Sequence, residues 1–333
     1  MRVADLGEQG LLQRLHRFCP ASMVGDDAAV LTTPEGQNLV ITTDALIDGV
    51  HFALGLASDV VTMTPEDVGW RAVAANLSDL AAMGAWPIGV TVGLGLPADL
   101  PVSTVEGLYE GIVQCLSTYD GVILGGDLHR SPAVSLCITA LGQVDPAQVI
   151  RRTGAQVGDA IVVTGVHGRS AVGLALLLDP ALGAIAQDES EPYLLAHRRP
   201  VPRLDLLPLL HGLGVTTGMD SSDGLADAVL QLCRSSGVGA RLSQEAIPRP
   251  KAKWLPDEQA LRWALYGGED FELVVCAPPA QARELVDQHD GAVIIGEATA
   301  DPTVYVVGPQ DQVAQQLALE QGFQHFSSTD GSA

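Results

Sequence analysis

Two rhythms of apolar and polar positions alternate along this chain, one with the period of a strand and one with that of a helix. The β-branched run NLVITTDAL at residues 38–46 predicts a strand, and residues 88–96, with glycines that suit close packing, predict another. Residues 6–18, LGEQGLLQRLHRF, carry the spacing of a short amphipathic helix. Residues 104–116 repeat that spacing, with Leu108, Ile112, Val113 and Leu116 on one stripe. A short apolar strand at 121–124 runs into Gly125-Gly126-Asp127, and 133–141 reads as a further strand. Around 145–158 the pattern gives way to Pro, Arg, Gly and Asp, then restarts with a strand at 160–164. Beyond it come a helix at 170–178, a Pro-rich link at 192–208, a loop at 219–224, a helix at 225–235 and a linker at 247–256. Residues 261–265 then precede the turn Gly267-Gly268-Glu269-Asp270 and a strand at 271–277, and the tail reads strand, helix, then Gly322-Phe323-Gln324-His325-Phe326. Strands and helices interleave in both halves, so an α/β or α+β chain of two domains is expected. The boundary falls near 148–152, giving domains at 1–148 and 149–326, with 327–333 as a frayed, disordered tail.

Residues 64–84, TPEDVGWRAVAANLSDLAAMG, carry a full set of helix punctuation. Thr64 suits an N-cap, Pro65 the first turn, and Glu66 and Asp67 the positive end of the dipole. Gly84 is the residue that most easily turns left-handed after the last turn. Between these signals the helix is apolar all round. At about 100° per residue, Val68, Ala72, Ala75 and Met83 lie on one side, and Trp70, Val73, Leu77, Leu80 and Ala81 on the others. Such a helix is buried, yet it carries Asp79, with only Asn76 and Ser78 as polar company nearby. Removing an unpaired carboxylate from water costs several kcal/mol or forces it to take up a proton. Asp79 is therefore either a hydrogen-bonded structural residue or a carboxylate aimed at a cation.

Composition narrows the classes of function. The 333 residues are 47% apolar and 17% charged, which is globular rather than disordered. Forty acidic residues against eighteen basic ones give a net charge of −22. That field repels nucleic acid and anionic membranes, and it repels phosphate substrates too unless bound cations invert it locally. Five cysteines, Cys19, Cys115, Cys137, Cys233 and Cys276, are spread without a C-x-x-C pair, as reduced thiols of a cytosolic protein would be. No apolar run reaches a membrane span, and the N-terminal residues, with Asp5 and Glu8, lack a signal-peptide layout. A soluble, cytoplasmic protein is expected.

Against this background one motif recurs: an apolar strand runs into small residues and then an aspartate. It appears at Asp44, at Asp127 and at Asp220 with Asp223, and Asp26-Asp27 follow Gly25 in the same way. Taken singly, each suits a turn or cap as well as a ligand. With Asp79 the set offers up to seven carboxylates, several beside hydroxyls: Thr42, Thr43, Ser221 and Ser222. Hard oxygen donors of this kind suit Mg²⁺ rather than Zn²⁺. No G-x-x-x-x-G-K-[ST], H-E-x-x-H or G-x-S-x-G motif is present. The run GVHGRSAVG at 165–173 opens a helix, and its glycines suit helix packing better than phosphate binding.

The motifs VGDDAAV, ITTDALIDGVHF, NLSDLAAMGA, ILGGD, RRTGAQVGD, DSSDGLADA and YGGEDFEL follow one another in an order that resembles the thiamine-monophosphate kinase family, over residues 25–326. The resemblance implies a PurM-like fold of two domains, an N-terminal mixed-sheet domain that dimerises and a C-terminal α/β domain. It implies ATP as co-substrate, thiamine phosphate as acceptor, several Mg²⁺ ions, and thiamine diphosphate and ADP as products of direct in-line transfer. By the same resemblance Asp27, Thr42, Thr43, Asp44, Asp79, Asp127, Asp220 and Asp223 are metal ligands. Tyr109, Gly126, Asp127, Arg152 and Ser222 become nucleotide contacts, and His51, Glu269 and Phe323 substrate contacts. No acid or base is assigned, because the acceptor is already an ionised phosphate oxygen. The strand at 88–96 is the expected homodimer surface. Alternatives are another PurM-like enzyme, of the selenophosphate or aminoimidazole ribonucleotide synthetase type, or a non-catalytic Mg–nucleotide binder. The first of these would carry a reactive Cys and Lys near its start, whereas here the first lysine is Lys251.

Overall fold

The helix expected at 64–84 forms as α1 (Pro65–Ala82), and its start is set by a reciprocal cap. Thr64 Oγ1 accepts from the Asp67 amide at 3.2 Å, and Asp67 Oδ2 accepts from the Thr64 amide at 3.3 Å. Gly84 adopts φ +72° just beyond the helix. The protein is a computed structural model that describes residues 25–33, 36–56, 59–186 and 188–321, together with residue 10. Apart from residue 10, the helix expected at 6–18 lies outside the described residues, as do Cys19, Phe323 and the tail at 327–333.

The N-terminal sheet is built from β1 (Ala29–Thr32), β2 (Asn38–Ile47), β3 (Trp86–Leu96), β4 (Val122–Arg130) and β5 (Ser135–Val144), in the order β1-β2-β5-β3-β4. Only β3 and β4 run parallel, and α2 (Val102–Thr118) connects them. Strand alternation sends Val40, Val90, Val92, Leu94, Leu136, Ile138 and Ala140 to a buried face. The alternate positions Thr43, Ala45, Ile47, Cys137 and Gln143 lie on an exposed face. On α2 the buried stripe is Leu108, Ile112, Cys115 and Leu116; Val113, expected on it, is exposed. Two backbones touch where α1 crosses α2: a Cβ on Gly69 would lie 1.9 Å from the Leu108 carbonyl oxygen, and one on Gly111 1.9 Å from that of Glu66.

The C-terminal sheet contains β6 (Ala160–Val163), β7 (Thr217–Asp220), β8 (Gly239–Ser243), β9 (Leu273–Ala277), β10 (Val293–Thr299), β11 (Val304–Val307) and β12 (Val313–Gln316). Their order is β12-β11-β8-β10-β6-β9-β7. Around it lie α3 (Arg169–Leu178), α4 (Pro180–Ile185), α5 (Glu191–Arg198), α6 (Leu207–Gly212), α7 (Leu225–Ser236), α8 (Asp257–Tyr266) and α9 (Pro279–Gln288). Strand β6 is apolar without alternation because both its faces are covered. Ala160 and Val162 join the core shared with α1, whereas Ile161 and Val163 join a second core with α7.

Some boundaries move. The link read at 192–208 contains the helix α5, and the loop read at 219–224 begins with the last two residues of β7. Among the described residues the tail holds β10, β11, β12 and two 3-10 turns, at Pro309–Asp311 and Leu319–Gln321, and the expected α-helix is absent. Four cysteines, Cys115, Cys137, Cys233 and Cys276, are free thiols. No helix among the described residues is long and apolar enough to cross a membrane. Helix α1 is the element common to the two halves. The N-terminal sheet and α2 cover it on one side, and β7, α5 and the 3-10 turn at Leu204–Leu206 on the other. This double cover is why it is apolar all round.

Candidate active site

Strand β2 presents Thr42 and Asp44 on the face toward α1, two residues apart, and Thr43 on the opposite face. Thr42 Oγ1 donates to Asp79 Oδ2 at 2.5 Å. Asn76, also on α1, receives the Asp44 amide at 3.1 Å. Thr43 Oγ1 instead lies across the sheet, 3.0 Å from Thr139 Oγ1 and 2.9 Å from the Ile138 carbonyl oxygen. Its side chain is turned away from Asp79. Asp44 lies inside β2 rather than past its end, as does Asp127 inside β4.

From the C-terminal half, Asp220 at the end of β7 accepts Ser78 Oγ of α1 at 2.5 Å and Ser222 Oγ at 3.1 Å. Asp27, in the loop before β1, pairs with Arg152 Nη2 at 2.7 Å. Its neighbour Asp26 is held by Arg151 Nη1 and by the Arg152 amide, both at 2.9 Å. One carboxylate oxygen from each of Asp27, Asp79 and Asp220 lies within 4.8 Å of the others. Asp27 Oδ2 is buried without a partner.

Charge so concentrated is unstable without compensation. Burial first, then Asp220, Asp44 and Asp27, push the Asp79 carboxyl well above the usual carboxylate range, against the hydrogen bond from Thr42. Burial lifts Asp27 to about 6 although Arg152 pulls it down. Asp220 is raised by burial too, tempered by Ser78 and Ser222. An orphaned buried carboxylate oxygen, all-oxygen donors and raised carboxyls fit a hard divalent cation such as Mg²⁺.

The other expected residues fall outside this group. Asp127 sits on edge strand β4 with its side chain 85% exposed, 3.9 Å from His129 Nδ1. Gly126 beside it is held in the ladder, because a Cβ there would lie 2.0 Å from the Val92 carbonyl oxygen. Tyr109 is exposed on α2, and Asp223 is exposed in the loop after β7. No hydrogen bond or ion pair among the described residues joins Asp127 or Tyr109 to the cluster.

Residues 25–144 match the family model "AIR synthase related protein, N-terminal domain", and residues 156–308 match its C-terminal counterpart. The chain is 47% identical over 334 residues to a thiamine-monophosphate kinase from Synechococcus elongatus, covering 98% of each. The chain belongs to the thiamine-monophosphate kinase family. Among solved structures it is similar to one described as "AaThiL complexed with AMPPCP and TMP", with a TM-score of 0.82, 29% identity, and coverage of 98% of this chain and 99% of that one. A thiamine-monophosphate kinase from Stenotrophomonas maltophilia matches with a TM-score of 0.73 and 32% identity, covering 90% of this chain and 95% of the other.

Within this member of the thiamine-monophosphate kinase family, a second group lies along α1 from the acidic cluster. Glu269 of the GGED turn pairs with Arg71 of α1 through Oε2. His51 and His197 are near enough to influence its charge. Burial raises the Glu269 carboxyl, but Arg71, then His197 and His51, outweigh it and hold it low. His51 Nδ1 accepts the Ile47 amide at 3.1 Å, which leaves Nε2–H as the donor of the neutral ring. Asp270 takes the amides of Gly168 and Ser170 at the start of α3. A carboxylate of the chain itself therefore fills this glycine-rich helix start, and a Cβ on Gly173 would lie 2.1 Å from the Tyr193 carbonyl oxygen of α5. Both observations fit the packing reading of that run. The sequence reading missed Arg71, although its signal was present: it is the only cation on a helix otherwise apolar all round, the same anomaly that singled out Asp79.

Proposed function

We infer that the chain transfers the γ-phosphoryl group of ATP to thiamine phosphate, giving ADP and thiamine diphosphate. The observation that carries this reading is the convergence of Asp27, Asp79 and Asp220, from three elements of both halves, within 4.8 Å. The likeness over nearly the whole chain to a kinase crystallised with AMPPCP, an ATP analogue, and TMP supports it. We propose that Asp27, Thr42, Asp44, Asp79 and Asp220 hold Mg²⁺, with Thr43 contributing through its carbonyl oxygen, and Asp127 and Asp223 as outer ligands. Bound there, Mg²⁺ would neutralise the phosphates of both substrates and lower the repulsion between them. The chain's own residues do the positioning. Arg152, fixed by Asp27, offers a cation at the rim for the nucleotide, together with Tyr109, Gly126 and Ser222. His51, Glu269 and Phe323 are assigned to the thiamine end, where a carboxylate suits a cationic heterocycle. An acceptor phosphate oxygen is already ionised, so attack on the γ-phosphorus needs alignment rather than a base.

We also propose that the domains meet near 148–152 and that the chain forms a homodimer through the exposed face of the N-terminal sheet. Trp86 and Ile88 on β3 and Val122 and Leu124 on β4 are exposed there, and β4 is an edge strand. A coupled ADP-release assay tests the activity. Release that requires thiamine phosphate and Mg²⁺ together supports it; ADP at background level in the full mixture refutes the substrate assignment. ATP binding without turnover would instead favour a non-catalytic nucleotide binder.

A further inference from the structure

We propose that Arg71 is a positioning residue that makes the site select a cationic acceptor, by fixing the Glu269 carboxylate at a set distance from the acidic cluster. The proposal rests on the functional reading above. Arg71 is 1% exposed, and a charge so buried needs a counter-charge beside it. Nη1 donates to the His197 carbonyl oxygen of α5, and Nη2 meets Glu269 Oε2. Both partners belong to the C-terminal half, whereas Arg71 belongs to α1. Seven residues further along α1, Ser78 grips Asp220. Seven residues are about two turns, so Arg71 and Ser78 share one face and stand about 10 Å apart along the axis. A single rigid helix face thus holds both the carboxylate of the thiamine end and one corner of the cluster.

The turn around Glu269 is fixed from every other side as well. The Glu269 amide donates to the Ser222 carbonyl oxygen at 2.6 Å. Asp270 Oδ1 accepts the Ser170 amide at 2.8 Å, and Ser170 Oγ lies 3.0 Å from His197 Nδ1, whose carbonyl Arg71 holds. Glu269 and Phe271 both take left-handed backbone, at φ +69° and +53°. Non-glycine residues adopt it only where their surroundings over-determine them. Arg71 meets Oε2 and the Glu269 side chain is 37% exposed, so the carboxylate is both anchored and open to a ligand. A neutral residue at 71 would leave Glu269 free to turn toward water or toward bound cations. A plain ion pair between domains would hold the fold without touching acceptor affinity, and that difference decides the test.

ADP release is measured with wild type, Arg71→Met, Arg71→Lys, Glu269→Gln and the double variant Arg71→Met/Glu269→Gln, varying thiamine phosphate and MgATP separately. Arg71→Met is expected to raise KM for thiamine phosphate about 30-fold or more while KM for ATP moves less than about twofold. Arg71→Lys, which keeps the charge but not the fork, is expected to recover part of the loss. In the Glu269→Gln background, Arg71→Met should add less than about threefold, since both act through one carboxylate. Equal rises in the two KM values, full additivity, or an unchanged KM for thiamine phosphate would overturn the proposal. If Arg71→Met does not fold, Arg71→Lys decides alone: a rise confined to thiamine phosphate supports the proposal, and an even or absent rise overturns it. A wild type that never releases ADP refutes the functional reading and this proposal with it; a wild type that turns over normally separates the two.

Discussion

Asp27 has the plainest acid–base consequence, because burial lifts its carboxyl from 3.8 to about 6 against the pull of Arg152. A folded value above the unfolded one means stability that is full below the unfolded value and is lost as pH rises through about 6. The shift corresponds to about 3 kcal/mol for the metal-free protein. In the presence of a chelator, the melting temperature is therefore expected to fall by a few degrees between about pH 4 and pH 7. Adding Mg²⁺ should restore most of it at the higher pH and little at the lower, since a protonated carboxyl is no ligand. A metal-free melting temperature independent of pH would contradict this. At Asp79, replacement by Asn keeps the size and an acceptor for Thr42 but removes the charge. Turnover should drop by about a hundredfold or more, with an unchanged circular dichroism spectrum; near-normal turnover would exclude Asp79 as a ligand. Asp79 was legible in the sequence because a lone carboxylate on an apolar helix has to be explained. Its pairing with Thr42 was not legible, because reach across 37 residues to β2 leaves no local signal.

At the scale of elements, α1 was readable almost to the residue, since cap, proline, acidic first turn and closing glycine all agree. Strand β4 was not. Gly125-Gly126 looked like the strand's end, yet β4 pairs with β3 through to Arg130. The glycine at 126 is there because the Val92 carbonyl oxygen leaves no room for a Cβ, a requirement of the neighbour strand that the local pattern does not carry. Helix α5 was hidden by the prolines around it, but Pro192 sits in its first turn, where proline is tolerated. The α1–α2 crossing makes its own prediction. Gly111→Ala would drive a methyl into the Glu66 carbonyl oxygen, so the helices must separate. A loss of about 2–3 kcal/mol is expected by urea unfolding, without any change in the acidic cluster. An unfolding midpoint equal to that of wild type would show that the two helices cross less tightly than this contact requires.

For the whole molecule, the decisive arrangement is that α1 lies between the two sheets, so the cluster forms only when both halves are docked. Asp27 and Asp79 come from one half and Asp220 from the other. Helix periodicity announced a buried helix without saying what would bury it, because the covering elements β7 and α5 come more than 100 residues later. The exposed face of the N-terminal sheet sets a prediction at the same scale. Leu124→Asp places a charge on that face of edge strand β4, and sedimentation should then give a monomer where wild type gives a dimer. Wild type sedimenting as a monomer would dismiss the dimer outright.

The shared face of α1 also bears on how such a chain could change its acceptor. Each residue added to a helix advances it about 1.5 Å and rotates the remaining turns by about 100°, so one insertion between Arg71 and Ser78 would carry one of them off the face entirely. Only steps of about one or two whole turns return both near register, and each turn would lengthen the gap by about 5 Å. With the acceptor held against Glu269 as proposed above, its size is stepped rather than continuous, and gradual adaptation to a slightly longer or shorter molecule would proceed through the GGED turn while α1 stays the same length.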